Sequence, residues 1–196
     1  MHFYPCYASS QEIYHARVED LESLPALQPG SLDAVYCRYG LSYIPDADRA
    51  LATLAALIKP GGALILQDFL NYHTAPAVYP RNDALLQAIA AASADSIAHP
   101  SIGAELPGML ERNNLAIELL DHYQPMGRPR SIVWRWRRCT LCVLCRNLVE
   151  QGKVTADDAQ EALRRFDDLG VTAPAQGGAA FVLGAHMVEV IGRKSG

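Results

Sequence analysis

No uninterrupted apolar run in this chain reaches the roughly 18 to 20 residues that a membrane-spanning helix requires, so no span is expected. The first residues lack the basic start and apolar stretch of a secretory signal. Cysteine is odd in number, five in all, without the even spacing of a disulfide framework. Together these features point to a reducing, cytoplasmic location. A dominant charge is missing too: with a formal net charge of −4, neither a nucleic-acid backbone nor an anionic membrane is the default partner. Glycine is absent from the whole opening stretch, the first being Gly30. No internal repeat or low-complexity tract is visible.

What is present reads as a globular domain. The 196 residues, half of them hydrophobic, can bury a core and are most simply one unit. Residues 13–18 are strand-like and end in Glu19-Asp20, and a second apolar run covers residues 32–37. Asp46 is a good helix N-cap, and behind it Ala50, Leu51, Leu54, Leu57 and Ile58 recur at helical spacing. Lys59-Pro60-Gly61-Gly62 predicts a sharp helix stop, and residues 63–66 a short strand buried on both faces. Strand, helix and strand with short links indicate an α/β domain with a parallel sheet. Ligands in such sheets bind beyond the carboxyl ends of the strands, which directs attention to Asp20, Cys37 to Tyr39 and Asp68 to Tyr72.

Further on, residues 82–98, 108–121 and 131–151 read as helices, as does the amphipathic segment 155–169, capped by Thr155 and closed by Gly170. Residues 180–183 and 187–191 look like two terminal strands around a short turn. Cys139, Cys142 and Cys145 form Cys-x-x-Cys-x-x-Cys, a spacing that also occurs in iron–sulfur ligand runs. With no glycine or proline nearby, the preferred reading is an apolar helix with three buried thiols and no metal site. Arg135, Arg137 and Arg138, interleaved with Trp134 and Trp136, suggest a solvated or substrate-facing patch for a planar or anionic molecule.

Three phrases line up with one family: RVEDLESLP, GSLDAVYCRYGLSYIPD and ALATLAALIKPGGALILQDF, in that order and spacing. They resemble the class I S-adenosylmethionine-dependent methyltransferases, in particular the small-molecule branch with the ubiquinone and menaquinone biosynthesis enzymes. HPSIGAELPGMLERNNL, RPRSIVWRW and MVEVIGRK are similar to the tails of the same enzymes. The resemblance implies a Rossmann-like sheet with helices on both faces, methyl transfer to a small-molecule acceptor, and S-adenosylmethionine as cofactor. Asp20 matches the acidic residue that accepts from the adenine amino group, and Leu21 the one whose N–H meets the adenine ring. Cys37 and Arg38 match positions lining the methionine part. Arg38 is atypical there and could instead meet a substrate carboxylate or phosphate. Tyr39, Tyr43, Asn71 and Tyr72 would face the substrate pocket, with His73 a weak candidate for general base. Asp33 is expected to be structural. Residues 74–150 would form a helical insertion on the substrate side of this single, partial domain.

The family's glycine-rich loop after the first strand, whose glycines let the backbone approach the cofactor, has no counterpart here. Nor has the acidic residue after its second strand. The expectation is an N-terminally truncated sheet, its first βαβ unit missing, with cofactor binding weak or lost. A rearranged sheet, or a partner chain supplying the rest, are the alternatives. Exposed sheet edges would then favour a homodimer or another partner. From a different class, the rival reading is a non-catalytic binding or regulatory module derived from a methyltransferase.

Overall fold

Apolar residues that alternate or recur every third or fourth place build each element. The computed structural model describes residues 27–72, 78–79, 83–95, 97–175 and 180–196. Strand β1 (Leu32–Arg38) leads through a single turn of tight helix at Leu41–Tyr43 into helix α1 (Ala47–Leu57). The Asp46 carboxylate accepts the Arg49 N–H at 3.0 Å, the N-cap expected from its position. Strand β2 (Ile58–Asn71) follows at once, longer at both ends than the apolar run suggested, and takes in Lys59 to Gly62. Gly62 is needed there, because a Cβ would lie 2.6 Å from Ile58 Cγ2 and 2.8 Å from the Asp33 carbonyl. The short strand β3 (Val78–Tyr79) precedes helices α2 (Ala84–Ala94) and α3 (Leu106–Arg112), and then strand β4 (Leu115–Tyr123).

The helix expected over residues 108–121 is therefore a short helix followed by a strand. Asn114 has φ 58°, a left-handed stop that helices commonly end on. Leu115 and Ile117 then face the core alternately, as a strand requires. The remaining elements are β5 (Met126–Gly127), α4 (Ile132–Glu150), α5 (Ala156–Ala175), β6 (Phe181–Leu183) and β7 (His186–Lys194). Thr155 caps α5 by accepting the Asp158 N–H at 3.0 Å. Gly170 does not close that helix; it lies inside it, where a Cβ would come within 3.3 Å of the Trp134 ring.

The main sheet runs β1-β2-β7-β4. Only β1 and β2 are parallel; β7 is antiparallel to both of its neighbours, so the sheet is mixed rather than all parallel. The two terminal strands do not pair with each other. β6 sits between β3 and β5 in a separate three-stranded sheet.

On one face of the main sheet α1 and α3 pack over Leu64, Leu66, Val188 and Val190. On the other, Phe69 and Met187 meet Ala94 and Ile97 at the end of α2, so helices lie on both faces. The rest of that second face carries a row aligned by register, Tyr36, Ile65, Ile191 and Leu119, of which Tyr36 is 52% and Leu119 39% exposed. A second core joins α2, α4, α5 and β6 around Phe166 and Trp134.

The three α4 cysteines do not share one environment: Cys145 is buried, Cys139 and Cys142 are exposed. Each three-residue step falls about 60° short of a full helical turn, so over two steps the series walks off the buried face. Among the described residues no group of three or more His, Cys, Asp or Glu could hold a metal ion, and no helix is long and apolar enough to cross a membrane.

Candidate functional site

The carboxyl ends of β1 and β2, neighbours in a parallel pair, bring several of the expected site residues together. Alternation along β1 sends Cys37 toward α1 and Arg38 to the opposite face. The Cys37 thiol is pushed up to about 11 by burial, with the nearby Asp68 carboxylate adding to the shift. It is a neutral group on the core side. Arg38 turns to the outer face, its guanidinium carbon 4.8 Å from the centre of the Tyr39 ring. Its Nη2 donates to the Tyr39 hydroxyl at 3.4 Å, and it forms no ion pair among the described residues.

Tyr39 has φ 51°, uncommon for a bulky residue and found where a site constrains the chain. Its amide donates to the Gln67 carbonyl at 2.9 Å, which fixes the turn against β2. Four aromatic rings cluster here. Tyr39 stands 5.2 Å from Phe69 centre to centre, Tyr43 6.3 Å and Tyr72 4.7 Å, the last two edge-on. Burial raises the Tyr43 hydroxyl to about 12 and the Tyr72 hydroxyl above its usual value. Both are therefore protonated near neutrality. Asn71 is half-buried beside His186 in the ladder.

Asp68 opens the stretch that the strand-end rule points to, and its part there is structural. Its side chain, 2% exposed, accepts the Phe69 N–H at 2.8 Å and the Ser42 N–H at 3.2 Å. Burial raises its pKa above the usual carboxylate value, partly offset by those donors. An acidic residue ending an apolar strand was the available signal.

Beside the aromatic cluster opens a cavity of about 270 Å³, lined by Arg38, Tyr39 and Tyr123, by Val133 and Trp136 of α4, and by Met187 with its neighbours. Of the patch expected at the start of α4, Trp136 alone lines this cavity; Trp134 and Arg137 are buried, and Arg138 is paired with Asp167 at 2.7 Å. Asp20, Leu21 and His73 lie outside the described residues, as does the strand expected over residues 13–18. Of the expected site residues Arg38 and Tyr39 line this cavity, whereas Cys37, Tyr43, Asn71 and Tyr72 are not among its lining residues.

The comparisons agree with this architecture. Residues 6–66 match the family model described as a methyltransferase domain. The ubiquinone biosynthesis O-methyltransferase of Xanthomonas campestris pv. campestris (strain B100) is 48% identical over 50 residues. Over that stretch, less than half of its length, the chain is similar to the methyltransferases. The ubiquinone biosynthesis O-methyltransferase of Xanthomonas oryzae pv. oryzae (strain PXO99A) is 46% identical over 50 residues. Each of these matches covers 26% of this chain and 21% of the relative, about a fifth of the curated protein's length.

Among solved structures, a Bacillus halodurans protein classed with the methyltransferases superposes with a TM-score of 0.51 at 18% identity. That likeness covers 90% of this chain and 76% of the other. The YcgJ protein of Bacillus subtilis gives 0.50 at 18% identity, covering 90% and 69%. At such identities the likeness concerns the fold, a Rossmann-like arrangement of mixed sheet and helices.

Proposed function

We propose that this chain takes part in methyl transfer from S-adenosylmethionine to a small-molecule acceptor, at the carboxyl ends of β1 and β2. The observation that carries the reading is the cavity where Arg38 and Tyr39, at the end of β1, face the aromatic start of α4. Ligands of open α/β sheets bind at this end of the strands. The residues suit one end of the cofactor: a guanidinium free of ion pairs among the described residues fits its carboxylate, and the adjacent tyrosine ring offers a flat apolar wall. Asp20 and Leu21 would hold the adenine, and Arg38 the methionine end, with Cys37 shaping the turn behind it. Tyr39, Tyr43, Asn71 and Tyr72 would bound the acceptor.

The cofactor supplies a methyl group already activated on a sulfonium. What is left for the chain is chiefly to position the acceptor and exclude water. The raised hydroxyls of Tyr43 and Tyr72 act as donors, not bases, near neutrality. His73 is the proposed proton acceptor. The residues before Gly30 hold no glycine to let the backbone approach the cofactor, so this reading predicts weak cofactor affinity for these residues alone. Two of the relatives it matches are named ubiquinone biosynthesis O-methyltransferases, which favours an oxygen as the acceptor atom.

Thermal unfolding with excess S-adenosylhomocysteine tests the placement. A stabilising shift in the parent chain, lost in Asp20→Ala and in Arg38→Met, is expected. Equal shifts in all three would remove both residues from the site.

A second reading is favoured by the bare row at Tyr36 and Leu119. In it the chain is a non-catalytic binding module, and a second copy covers that face. A monomer in sedimentation at high concentration would sink it.

A further inference from the structure

One buried cation has no use in the site described above. Helix α4 buries a stripe of Trp134, Arg137, Leu141, Cys145 and Leu148, and Arg137 is its only charged member. The side chain is 2% exposed, and its Nε and Nη1 have no hydrogen-bond partner among the described residues. Arg137 forms no ion pair among the described residues either; the neighbours that sense its charge are Tyr72 and Cys145. Burial raises both the Tyr72 hydroxyl and the Cys145 thiol, so neither supplies a negative charge near neutrality. Burial lowers the guanidinium to about 10, which still leaves it cationic there.

A guanidinium with five donors in a fixed fork, held out of water with two of its nitrogens unpaired, is a costly arrangement for the free protein. A plain core position would be served better by leucine or methionine. The surroundings say what offsets the cost. Tyr72 belongs to the cluster that holds Ala185 and Met187, and both of these line the cavity. Val133, one helical turn before Arg137 on α4, lines it as well. Neither Arg137 nor Tyr72 lines the cavity itself; each neighbours residues that do, Val133 on α4 and Met187 in the aromatic cluster.

We propose that Arg137, left unpaired where α4 meets the end of β2, is the anchor for an oxyanionic group of a small-molecule ligand, a carboxylate or a phosphate, entering from the adjacent cavity. Tyr72 is placed to donate a second hydrogen bond to the same group. The planar fork of arginine suits two oxygens of one anion. This inference does not depend on methyl transfer, because anion binding is read without any cofactor.

The test follows thermal unfolding of the parent chain, Arg137→Met, Arg137→Gln and Arg38→Met. Sodium benzoate is raised in one series and inorganic phosphate in another, with sodium chloride matching the ionic strength. The parent chain should show a saturable rise in melting temperature. That rise should be lost in both Arg137 variants and persist in Arg38→Met. A rise with benzoate alone marks a carboxylate site, and with phosphate alone a phosphate site. The glutamine variant provides the reading should the methionine variant not fold. No saturable rise in the parent chain overturns the proposal. So does a rise undiminished in the Arg137 variants, or one lost only in Arg38→Met, which would place the anion at the cavity mouth.

Discussion

The Asp68 carboxylate accepts the backbone N–H of Ser42 at 3.2 Å, tying the turn after β1 to the end of β2. The two strand ends that form the candidate site are held in register by this buried contact as well as by the ladder. Burial raises the Asp68 pKa above 3.8, so the folded chain holds that proton more tightly than the unfolded one. The stability this contributes is complete below 3.8 and is lost as the pH rises through the folded value. Asp68→Asn cannot titrate. Denaturant unfolding across the acid range should show the parent chain losing stability relative to Asp68→Asn as the pH rises toward neutrality. A difference that is flat or runs the other way would contradict this. Asp68→Ala, which strands two buried amides, should cost about 1–3 kcal/mol.

Thiol reactivity should follow burial rather than the repeat in the sequence. Cys139 and Cys142 are exposed, whereas Cys145 is buried and Cys37 is held near 11. Brief alkylation of the folded chain near neutrality, read by peptide mass spectrometry, should label Cys139 and Cys142 first. Cys37 and Cys145 should react only on unfolding, because the thiolate is the nucleophile. Early labelling of Cys37 would mean that its side chain is not packed toward α1.

Gly62→Ala tests the close approach at the start of β2. The added Cβ meets Ile58 and the Asp33 backbone below 3 Å, and the backbone cannot swing away as a side-chain end could. A loss of about 1–3 kcal/mol is expected, the usual cost of overpacking. An unchanged denaturant midpoint would show that the strand starts later than Ile58.

Where local chemistry decides structure, the sequence was a sufficient guide. Asp46 and Thr155 cap the helices their positions announce, and the apolar run at residues 32–37 is β1. The errors came where tertiary partners decide. Leu115 to Tyr123 has spacing that suits a helix face, but pairing with β7 makes it a strand. Gly170 carries a common helix-stop signal, yet the indole of Trp134 packs against it and the helix continues. At the candidate site, Arg38 and Tyr39 could be picked out because strand ends are known ligand positions, while Tyr43 and Tyr72 stand outside the cavity lining. Arg137 was not, since nothing in a Trp-Arg-Trp-Arg-Arg run tells which arginine the helix turns inward.

The most direct measurement is calorimetric titration of this chain with S-adenosylhomocysteine, which avoids turnover. One-site binding with a dissociation constant of a few hundred micromolar up to about a millimolar, equivalent to roughly −4 to −5 kcal/mol, and abolished in Asp20→Ala, is the expected result. It would fit a strand-end site that lacks glycine-mediated backbone contact. Low-micromolar binding would contradict the weak-affinity claim, and no heat at all from a folded chain would contradict the methyl-transfer site itself.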